Sequence, residues 1–273
     1  MTKTNIPSLT EYFEFTSRLR MHSSKKEKHY HSHWEIYYLV EGVCCFFIDN
    51  KSYRLTAGDV ALFPPEIIHK ASYETPTFSR LLIYCDAALI PESAESVIRQ
   101  FPVFPWHAET GDTIRSLFET IGREYAQPDA FSGHLIRSKL WELLVLIARH
   151  SGSAHRPTGK SPVVEQAVDY IRSHYTEPIS LGDVAGHCFV SREHLSRLFK
   201  RETDFNLSEY LMIYRLQKAE SLLRQEPHLR ISEVARRCGF SDSNYFSKSF
   251  RKVHGISPTD VKHSPNRHIS PTE

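Results

Sequence analysis

The fold of this chain is decided by ISEVARRCGFSDSNYFSKSFRKVHGISP, residues Ile231–Pro258. Apolar spacing around Val234 predicts a short helix, and Gly239 predicts the turn that ends it. Ser241 or Asp242 then supplies the N-cap of a longer second helix. A short helix, a tight turn and a longer helix are the length and pattern of a helix-turn-helix.

The same unit occurs a second time, about fifty residues earlier in the chain. Val184-Ala185 and Cys188 recur as Val234-Ala235 and Cys238, and the offset then grows by one residue. Four positions show the larger offset: Leu195, Phe199, Lys200 and Arg201 recur as Phe246, Phe250, Arg251 and Lys252. Between the copies, an apolar periodicity predicts one helix over Leu207–Leu223, roughly 25 Å long at about 1.5 Å per residue. A rigid spacer of that length would place two second helices on successive major-groove turns, about 34 Å apart.

The second helix of each copy carries polar and basic residues on the face opposite its apolar residues. Arg and Lys match guanine edges and phosphates, and Asn matches adenine, so this composition is typical of DNA base readout. The predicted DNA-binding residues are Arg192, Glu193, Ser196, Arg197, Lys200, Arg201, Ser243, Asn244, Ser247, Lys248, Arg251 and Lys252. The simplest alternative is that some of these side chains are only solvated, Glu193, Ser243 and Ser247 in particular.

Residues Ile231–Pro258 resemble the signature of the AraC/XylS family of bacterial transcription regulators, and Leu181–Leu223 resembles the first half of that family's double helix-turn-helix domain. The resemblance implies double-stranded DNA and RNA polymerase as partners, with transcriptional activation as the expected output. Two positions depart from the family pattern. Asp204 stands where a glycine is usual, which is tolerable because Asp adopts left-handed backbone more readily than most residues. Val261-Lys262 replaces an aromatic-arginine pair after the last proline.

The first half of the chain has a different pattern. From about Lys28 to Tyr84, short apolar and β-branched runs alternate with turn signals such as Glu41-Gly42 and Ala57-Gly58-Asp59, which predicts an antiparallel barrel or sandwich. Two amphipathic helices are predicted at Thr113–Tyr125 and Phe131–Arg149. They resemble the helical pair with which family members dimerise, so a homodimer through 113–149 is expected, packing against the barrel alone being the alternative.

A cluster of histidines lies on the first long predicted strand. His29, His31, His33 and Glu35 occupy alternate positions, so all four are predicted to project from one face of that strand. With Gly42, Gly58-Asp59, Pro64 and His69 they resemble the two cupin motifs, although Glu66 stands where a glycine is usual. In metal-binding cupins the corresponding ligands would be His29, His31, Glu35 and His69.

Three interpretations of this cluster remain open at this stage: a metal site, a metal-free pocket for a small polar ligand, and structural histidines. We favour the metal-free pocket, with no metal and no cofactor, and the aromatic residues nearby suit a sugar-like effector. A fatty acid would need a more apolar pocket. The predicted effector-binding residues are His29, His31, His33, Trp34, Glu35, Tyr38 and His69.

Composition sets the outer limits. The 273 residues include 34 Lys and Arg against 32 Asp and Glu, and the net charge of +2 permits DNA binding without demanding it. The sequence predicts no membrane span and no secretory signal, and five cysteines without a C-x-x-C spacing fit a reducing, cytoplasmic location.

The strands predicted in the first half and the helices predicted in the second half give an α+β fold class. We divide the chain into a cupin-like effector and dimerisation domain over 1–150, a linker over 151–161 and a DNA-binding domain over 162–273.

Two other functions compete with a transcription regulator. A metal-dependent cupin enzyme, an oxygenase or isomerase, would use the histidine cluster for catalysis and the helical half for interactions. An adaptor that binds only proteins would show no DNA binding at low salt. The repeated helix-turn-helix is the more specific signal, so the sequence predicts a regulator and not an enzyme.

Overall fold

The computed structural model describes residues 6–22, 28–29, 33–48, 51–65, 67–100, 103–104, 110–150 and 161–263. Two antiparallel sheets form the first part. One has the strand order β1-β8-β3-β6-β9 and the other β2-β7-β4-β5. The strands are β1 (Phe13–His22), β2 (Lys28–His29), β3 (Trp34–Glu41), β4 (Val43–Ile48), β5 (Lys51–Thr56), β6 (Val60–Phe63), β7 (His69–Tyr73), β8 (Thr77–Cys85) and β9 (Val103–Phe104).

The other regular elements of the described chain are helices. Three accompany the sheets: α1 (Glu92–Gln100), α2 (Gly111–Ala126) and α3 (Ser132–Arg149). The others form the second half: α4 (Pro162–His174), α5 (Leu181–His187), α6 (Arg192–Thr203), α7 (Leu207–Gln225), α8 (Ile231–Arg237), α9 (Ser243–His254) and α10 (Pro258–His263). Among the helices that the structure describes, none is both long enough and apolar enough to cross a membrane.

Alternation along the strands divides the apolar residues of the sheets between two cores. Tyr37 and Leu39 of β3 point into the space between the sheets, together with Phe46 of β4. Ile36 and Tyr38 point the other way, into the core that the five-stranded sheet makes with α2 and α3. The helices are thus held on the outer face of the five-stranded sheet.

The helical half has two cores that α7 joins. Its first part, with Tyr210 and Leu211, packs with α4, α5 and α6. Its second part, with Leu216 and Leu223, packs with α8, α9 and α10. A single helix therefore belongs to both helix-turn-helix units, which fixes their relative placement by packing.

The predicted α+β class, the strands from β3 to β8 and the helices α2, α3 and α5 to α10 are all present in the structure. The turns at Gly42 and Gly58 have φ angles of +103° and +96°, a backbone that suits glycine. The strand β1 and the helix α1 were not predicted.

The prediction that His29, His31, His33 and Glu35 share one face of a single strand is wrong. His29 belongs to β2, in the four-stranded sheet, whereas Glu35 belongs to β3, in the five-stranded sheet. His33 lies just before β3, and His31 lies outside the described residues. The chain passes from one sheet to the other between His29 and Glu35. Residues that alternate in the sequence therefore do not lie on one face of one strand here.

Candidate nucleic-acid interface and ligand-binding site

The first helix-turn-helix, α5 and α6, is built by two capping residues. Ser180 and Asp183 form a reciprocal capping box at the start of α5, with distances of 3.3 Å and 2.7 Å between each side-chain oxygen and the other residue's main-chain nitrogen. The Ser180 hydroxyl also donates to Asp183 Oδ2 at 2.7 Å, and this bond, together with that from the Ser180 main-chain N–H, lowers the pKa of Asp183. Ser191 caps α6 by accepting from the main-chain N–H of His194 at 3.2 Å.

The second unit, α8 and α9, turns at Gly239 and is capped by Asp242. The Asp242 carboxylate accepts from the main-chain N–H groups of Asn244 and Tyr245 at 2.7 Å and 3.2 Å, so of the two predicted caps it is Asp242 that acts. Gly239 has a φ of +81°, and a Cβ there would lie 2.5 Å from the main-chain oxygen of Tyr175. Both the conformation and the space at this turn therefore require glycine.

The two turns differ at one equivalent position. Phe189 in the first copy corresponds to Gly239 in the second, at the offset of fifty. Phe189 adopts a φ of +55° and is 94% exposed. An aromatic residue thus occupies a left-handed position with its ring in solvent, a feature that the sequence analysis missed although the repeat placed it opposite a glycine.

The predicted reading face of α6 is exposed. Leu195, Leu198 and Phe199 point into the core, as expected from the helical period. All six predicted contact residues of this helix are exposed: Arg192, Glu193, Ser196, Arg197, Lys200 and Arg201. The Arg192 guanidinium lies over Gly182 of α5, where a Cβ would come within 2.6 Å of it.

The reading face of α9 is more mixed. Asn244, Lys248, Arg251 and Lys252 are exposed. Ser243 and Ser247 are half-buried, and the Ser247 hydroxyl donates to the main-chain oxygen of Ser243 at 2.9 Å. Tyr245, which the sequence analysis did not assign to DNA, is 56% exposed in the first turn of α9. The two faces therefore differ in charge and in shape, so they can read different bases.

A buried polar group lies behind α9. His254 is nine-tenths or more buried, its Nδ1 lies 3.4 Å from Glu220 Oε2, and Arg224 Nη2 lies 2.8 Å from Glu220 Oε1. Burial, with the nearby Arg224 charge, lowers the pKa of His254 to about 3. The imidazole is therefore neutral near pH 7 and ties α9 to α7.

In the sheets, the structure brings Glu35 and His69 together. His69 Nε2 lies 3.2 Å from Glu35 Oε2, both side chains are almost fully buried, and the ring of Phe63 stacks on the imidazole at 4.1 Å. His69 Nδ1 lies 2.9 Å from the main-chain oxygen of Ile67. A neutral imidazole donates from one nitrogen only, so it donates either to the main-chain oxygen of Ile67 or to the Glu35 carboxylate.

His33 belongs to the same interior. Its buried ring lies between Tyr12, at a centroid distance of 4.6 Å, and Tyr84, at 5.9 Å. Further inside, the hydroxyl groups of Tyr37 and Tyr73 lie 3.2 Å apart, and burial raises the pKa of Tyr37 well above its usual value. The interior between the sheets thus combines aromatic faces with a few polar atoms.

The remaining predicted pocket residues lie elsewhere. Trp34 and Tyr38 belong to the opposite core: the guanidinium of Arg99 lies over Trp34 at 5.2 Å, and Phe118 stacks on Tyr38 at 5.1 Å. His29 pairs with His69 in the register of β2 and β7. The structure does not describe the side chain of His29 or any part of His31. Among the residues that it does describe, no group of three or more His, Cys, Asp and Glu is arranged to hold a metal ion.

Comparisons with known proteins give two matches to families. A model of an AraC-like ligand binding domain matches residues 15–145, and a model of a helix-turn-helix domain matches residues 184–264. The chain is 31% identical over 245 residues to an uncharacterized HTH-type transcriptional regulator, YfiF, of Bacillus subtilis, which covers 84% of this chain and 76% of the relative.

Two further likenesses cover most of the chain. The HTH-type transcriptional activator RhaR of Yersinia pseudotuberculosis is 31% identical over 255 residues, which is 86% of this chain and 84% of the relative. Among solved structures, ToxT from Vibrio cholerae is similar with a TM-score of 0.42 at 13% identity, over 92% of this chain and 97% of that one.

Proposed function

The chain belongs to the AraC family of transcription regulators, and on that premise we propose that α6 and α9 read two halves of one DNA site. It is a DNA-binding regulator, so the alternative of a metal-dependent cupin enzyme is set aside. The observation that carries the proposal is the pair of capped second helices, each with an exposed polar face, joined by the single helix α7. The proposed sensor domain covers 1–150, the linker 151–161 and the DNA-binding domain 162–273.

Selection from a randomised DNA duplex library with the full chain tests this proposal. We expect a site of two unlike halves, because the reading faces of α6 and α9 carry different side chains. Arg197→Ala is expected to relax base preference in one half and Lys248→Ala in the other, each by about 1–3 kcal/mol at one position. A selected pool without a preferred sequence would contradict the proposal.

We propose that the output is activation through RNA polymerase, which the name of the Yersinia relative supports. Transcription in vitro from a template with the selected site upstream of a core promoter is expected to rise when the protein is added. A fall in transcript would show repression instead. We also propose a cytoplasmic location, which DNA as the partner supports.

We propose that a small polar, sugar-like molecule binds inside the sheets at His33, Glu35 and His69. Sugar hydroxyls can donate to the Glu35 carboxylate and can donate to or accept from the His69 imidazole, while Phe63 offers a flat apolar face. A fatty-acid carboxylate would instead face the Glu35 carboxylate.

Thermal unfolding of the full chain with sugars, sugar acids, fatty acids and divalent metals tests the effector class. A ligand that binds only the folded state raises the midpoint with dose, and Glu35→Gln is expected to abolish the shift. A shift with fatty acids alone, or with metal alone, would contradict the sugar-like assignment.

We further propose that the protein is a homodimer through the helical pair at 113–149. Phe131, the N-cap of α3, and Leu135 lie one turn apart and are 68% and 42% exposed, which leaves an apolar strip on the surface. Sedimentation of the wild type is expected to give the mass of a dimer. Leu135→Glu is expected to give a monomer, and His134→Glu, an exposed neighbour on α3, serves as the matched control.

A further inference from the structure

The four-stranded sheet makes a direct contact with the first helix-turn-helix. Phe47 of β4 and Ile68, just before β7, are almost fully buried in the core of the helical unit. The ring of Phe47 lies 5.9 Å from Phe205 and 6.3 Å from Tyr210, centroid to centroid. The apolar core therefore continues from the sheet into the helices. Burial of these side chains holds the sheet and the helical unit together more strongly than a contact between two polar surfaces would.

An ion pair closes this contact. The Lys70 ammonium donates to the main-chain oxygen of Asp204 at 2.7 Å and pairs with its carboxylate. The Lys70 side chain is 1% exposed, so its charge lies entirely inside the interface. The ring of Phe205 lies 5.1 Å from the same ammonium. A buried ammonium is stable only with such partners, so this contact fixes how the four-stranded sheet and the first helix-turn-helix are placed against each other.

Asp204 is the residue that ends α6. It adopts a φ of +58°, and its main-chain N–H donates to Lys200 O at 2.9 Å. The sheet supplies hydrogen-bond donors to this end of the helix twice: Lys70 to the oxygen of Asp204, and the Ser52 hydroxyl to the oxygen of Glu202 at 3.1 Å. A cation near the negative end of the α6 dipole is favourable. The sheet thus fixes the end of the helix opposite to its first, base-facing turn.

The same ion pair affects the charge next to DNA. Lys200, a predicted phosphate contact, also donates to the oxygen of Asp204, at 2.6 Å, and lies 3.6 Å from its carboxylate. The Asp204 carboxylate by itself would repel a phosphate near Lys200. Lys70 offsets the charge of that carboxylate, so the positive charge of Lys200 beside it can attract DNA.

Alternation along the segment Ile67–Ala71 joins this contact to the proposed effector site. Ile67, His69 and Ala71 face the interior between the sheets, where His69 meets Glu35. Ile68 and Lys70 face the helix-turn-helix. A ligand that hydrogen-bonds to His69 therefore contacts the residue next to Lys70 in the chain, and no other element lies between them.

From these contacts we propose that Lys70 is a positioning residue for the first DNA-reading helix, and that β7 transmits the state of the effector site to α6 through the Lys70–Asp204 pair. The proposal rests on the proposed function, because it takes α6 as a reader of one half-site. In this arrangement the sheet leaves the reading face of α6 exposed to DNA.

Charge exchange in the full chain tests the positioning role. Lys70→Glu and Asp204→Lys are each expected to weaken binding to the selected duplex by about tenfold or more, and the double variant is expected to return to within about fivefold of wild type. The matched control is the exchange of Arg54 and Glu74, an exposed pair on β5 and the loop after β7 whose hydrogen bonds and ion pair stay within the sheet. That exchange is expected to leave affinity unchanged.

Two duplexes, each with one half-site scrambled, separate positioning from folding. Lys70→Glu is expected to become insensitive to scrambling of the half that Arg197→Ala identifies, while staying sensitive to the other half. Lys70→Met and Asp204→Gly, which preserve side-chain length and left-handed backbone respectively, serve if a charged variant does not fold, and they are expected to show the same loss of one half.

Wild-type affinity in the single variants, equal loss at both halves, or no recovery in the double variant would each overturn the inference. These outcomes differ from failure of the proposed function. If α6 is not a reader, the wild type itself selects no two-part site. If Lys70 does not position it, the wild type selects such a site and the Lys70 variants read it unchanged.

Discussion

Phe189 occupies a left-handed backbone conformation that its counterpart in the second unit, Gly239, adopts without steric cost. A left-handed backbone conformation destabilises a folded residue that carries a Cβ by about 1–2 kcal/mol. Glycine avoids this cost, but its greater conformational freedom in the unfolded chain offsets roughly 0.5–1 kcal/mol of the gain in stability. Because the ring is 94% exposed, its removal forfeits little burial. We expect Phe189→Gly to raise the free energy of unfolding by up to about 1 kcal/mol.

Urea unfolding of the full chain measures this change. Phe189→Ala is the control, because it removes the ring and keeps the backbone strain, and it is expected to stay within about 0.5 kcal/mol of wild type. A Phe189→Gly protein less stable than wild type would mean that the ring makes a stabilising contact.

His254 is expected to make stability depend on pH. Its pKa is about 3 in the folded state and near 6.5 unfolded, so below pH 6.5 the unfolded chain binds the extra proton. The contribution is therefore complete above pH 6.5 and is lost progressively as the pH falls towards 3. At pH 5.5 the loss is about 1.4 kcal/mol relative to pH 7.5.

The comparison is with His254→Gln, which keeps a hydrogen-bonding group towards Glu220 and does not titrate. Unfolding free energies at pH 7.5 and 5.5 are expected to fall further in wild type than in the variant. Equal falls in the two proteins would show that protonation of His254 is not the cause.

At the scale of elements, the start of α9 depends on one cap. Asp242 accepts from two main-chain N–H groups, whereas the neighbouring Ser241 is exposed and has no part in the cap. Loss of an N-cap costs about 0.5–2 kcal/mol. We expect Asp242→Ala to lower stability by that amount and Ser241→Ala to stay within about 0.5 kcal/mol. Equal effects in a thermal unfolding experiment would contradict the assignment of the cap.

The elements that sequence could predict are those with a long periodic pattern. Helices α2, α3 and α7 show several turns of apolar spacing, and each was predicted close to its observed bounds. Helix α1 has nine residues, in which Ala94 and Ile98 are the buried apolar positions, too short a pattern to establish a period.

The strand β1 did contain a signal. Phe13, Phe15, Leu19 and Met21 alternate with polar residues, but the last two are exposed and the strand lies at the edge of its sheet. Sequence could also name Glu35 and His69 as candidates, although their contact depends on how two separate sheets face each other. No local pattern encodes that distance, and none pairs Lys70 with Asp204, which are 134 residues apart.

At the scale of the molecule, α7 decides how the two readers are spaced. Its 19 residues make a rod of roughly 28 Å, buried at both ends in the cores of the two helix-turn-helix units. The readers are therefore held at a fixed distance and rotation, unlike domains on a flexible linker, whose separation adjusts. We expect the two half-sites to lie one helical turn of DNA apart, about 10 bp between centres.

Insertion of base pairs between the halves of the selected site tests this rigidity. Five inserted pairs place the halves on opposite faces of the duplex, and about ten restore the face but double the distance. A rigid α7 cannot span either arrangement, so both duplexes are expected to bind only as tightly as a duplex with one half scrambled. Recovery of affinity with ten inserted pairs would mean that the readers separate, and would require the packing of α7 against one of its two cores to open on DNA.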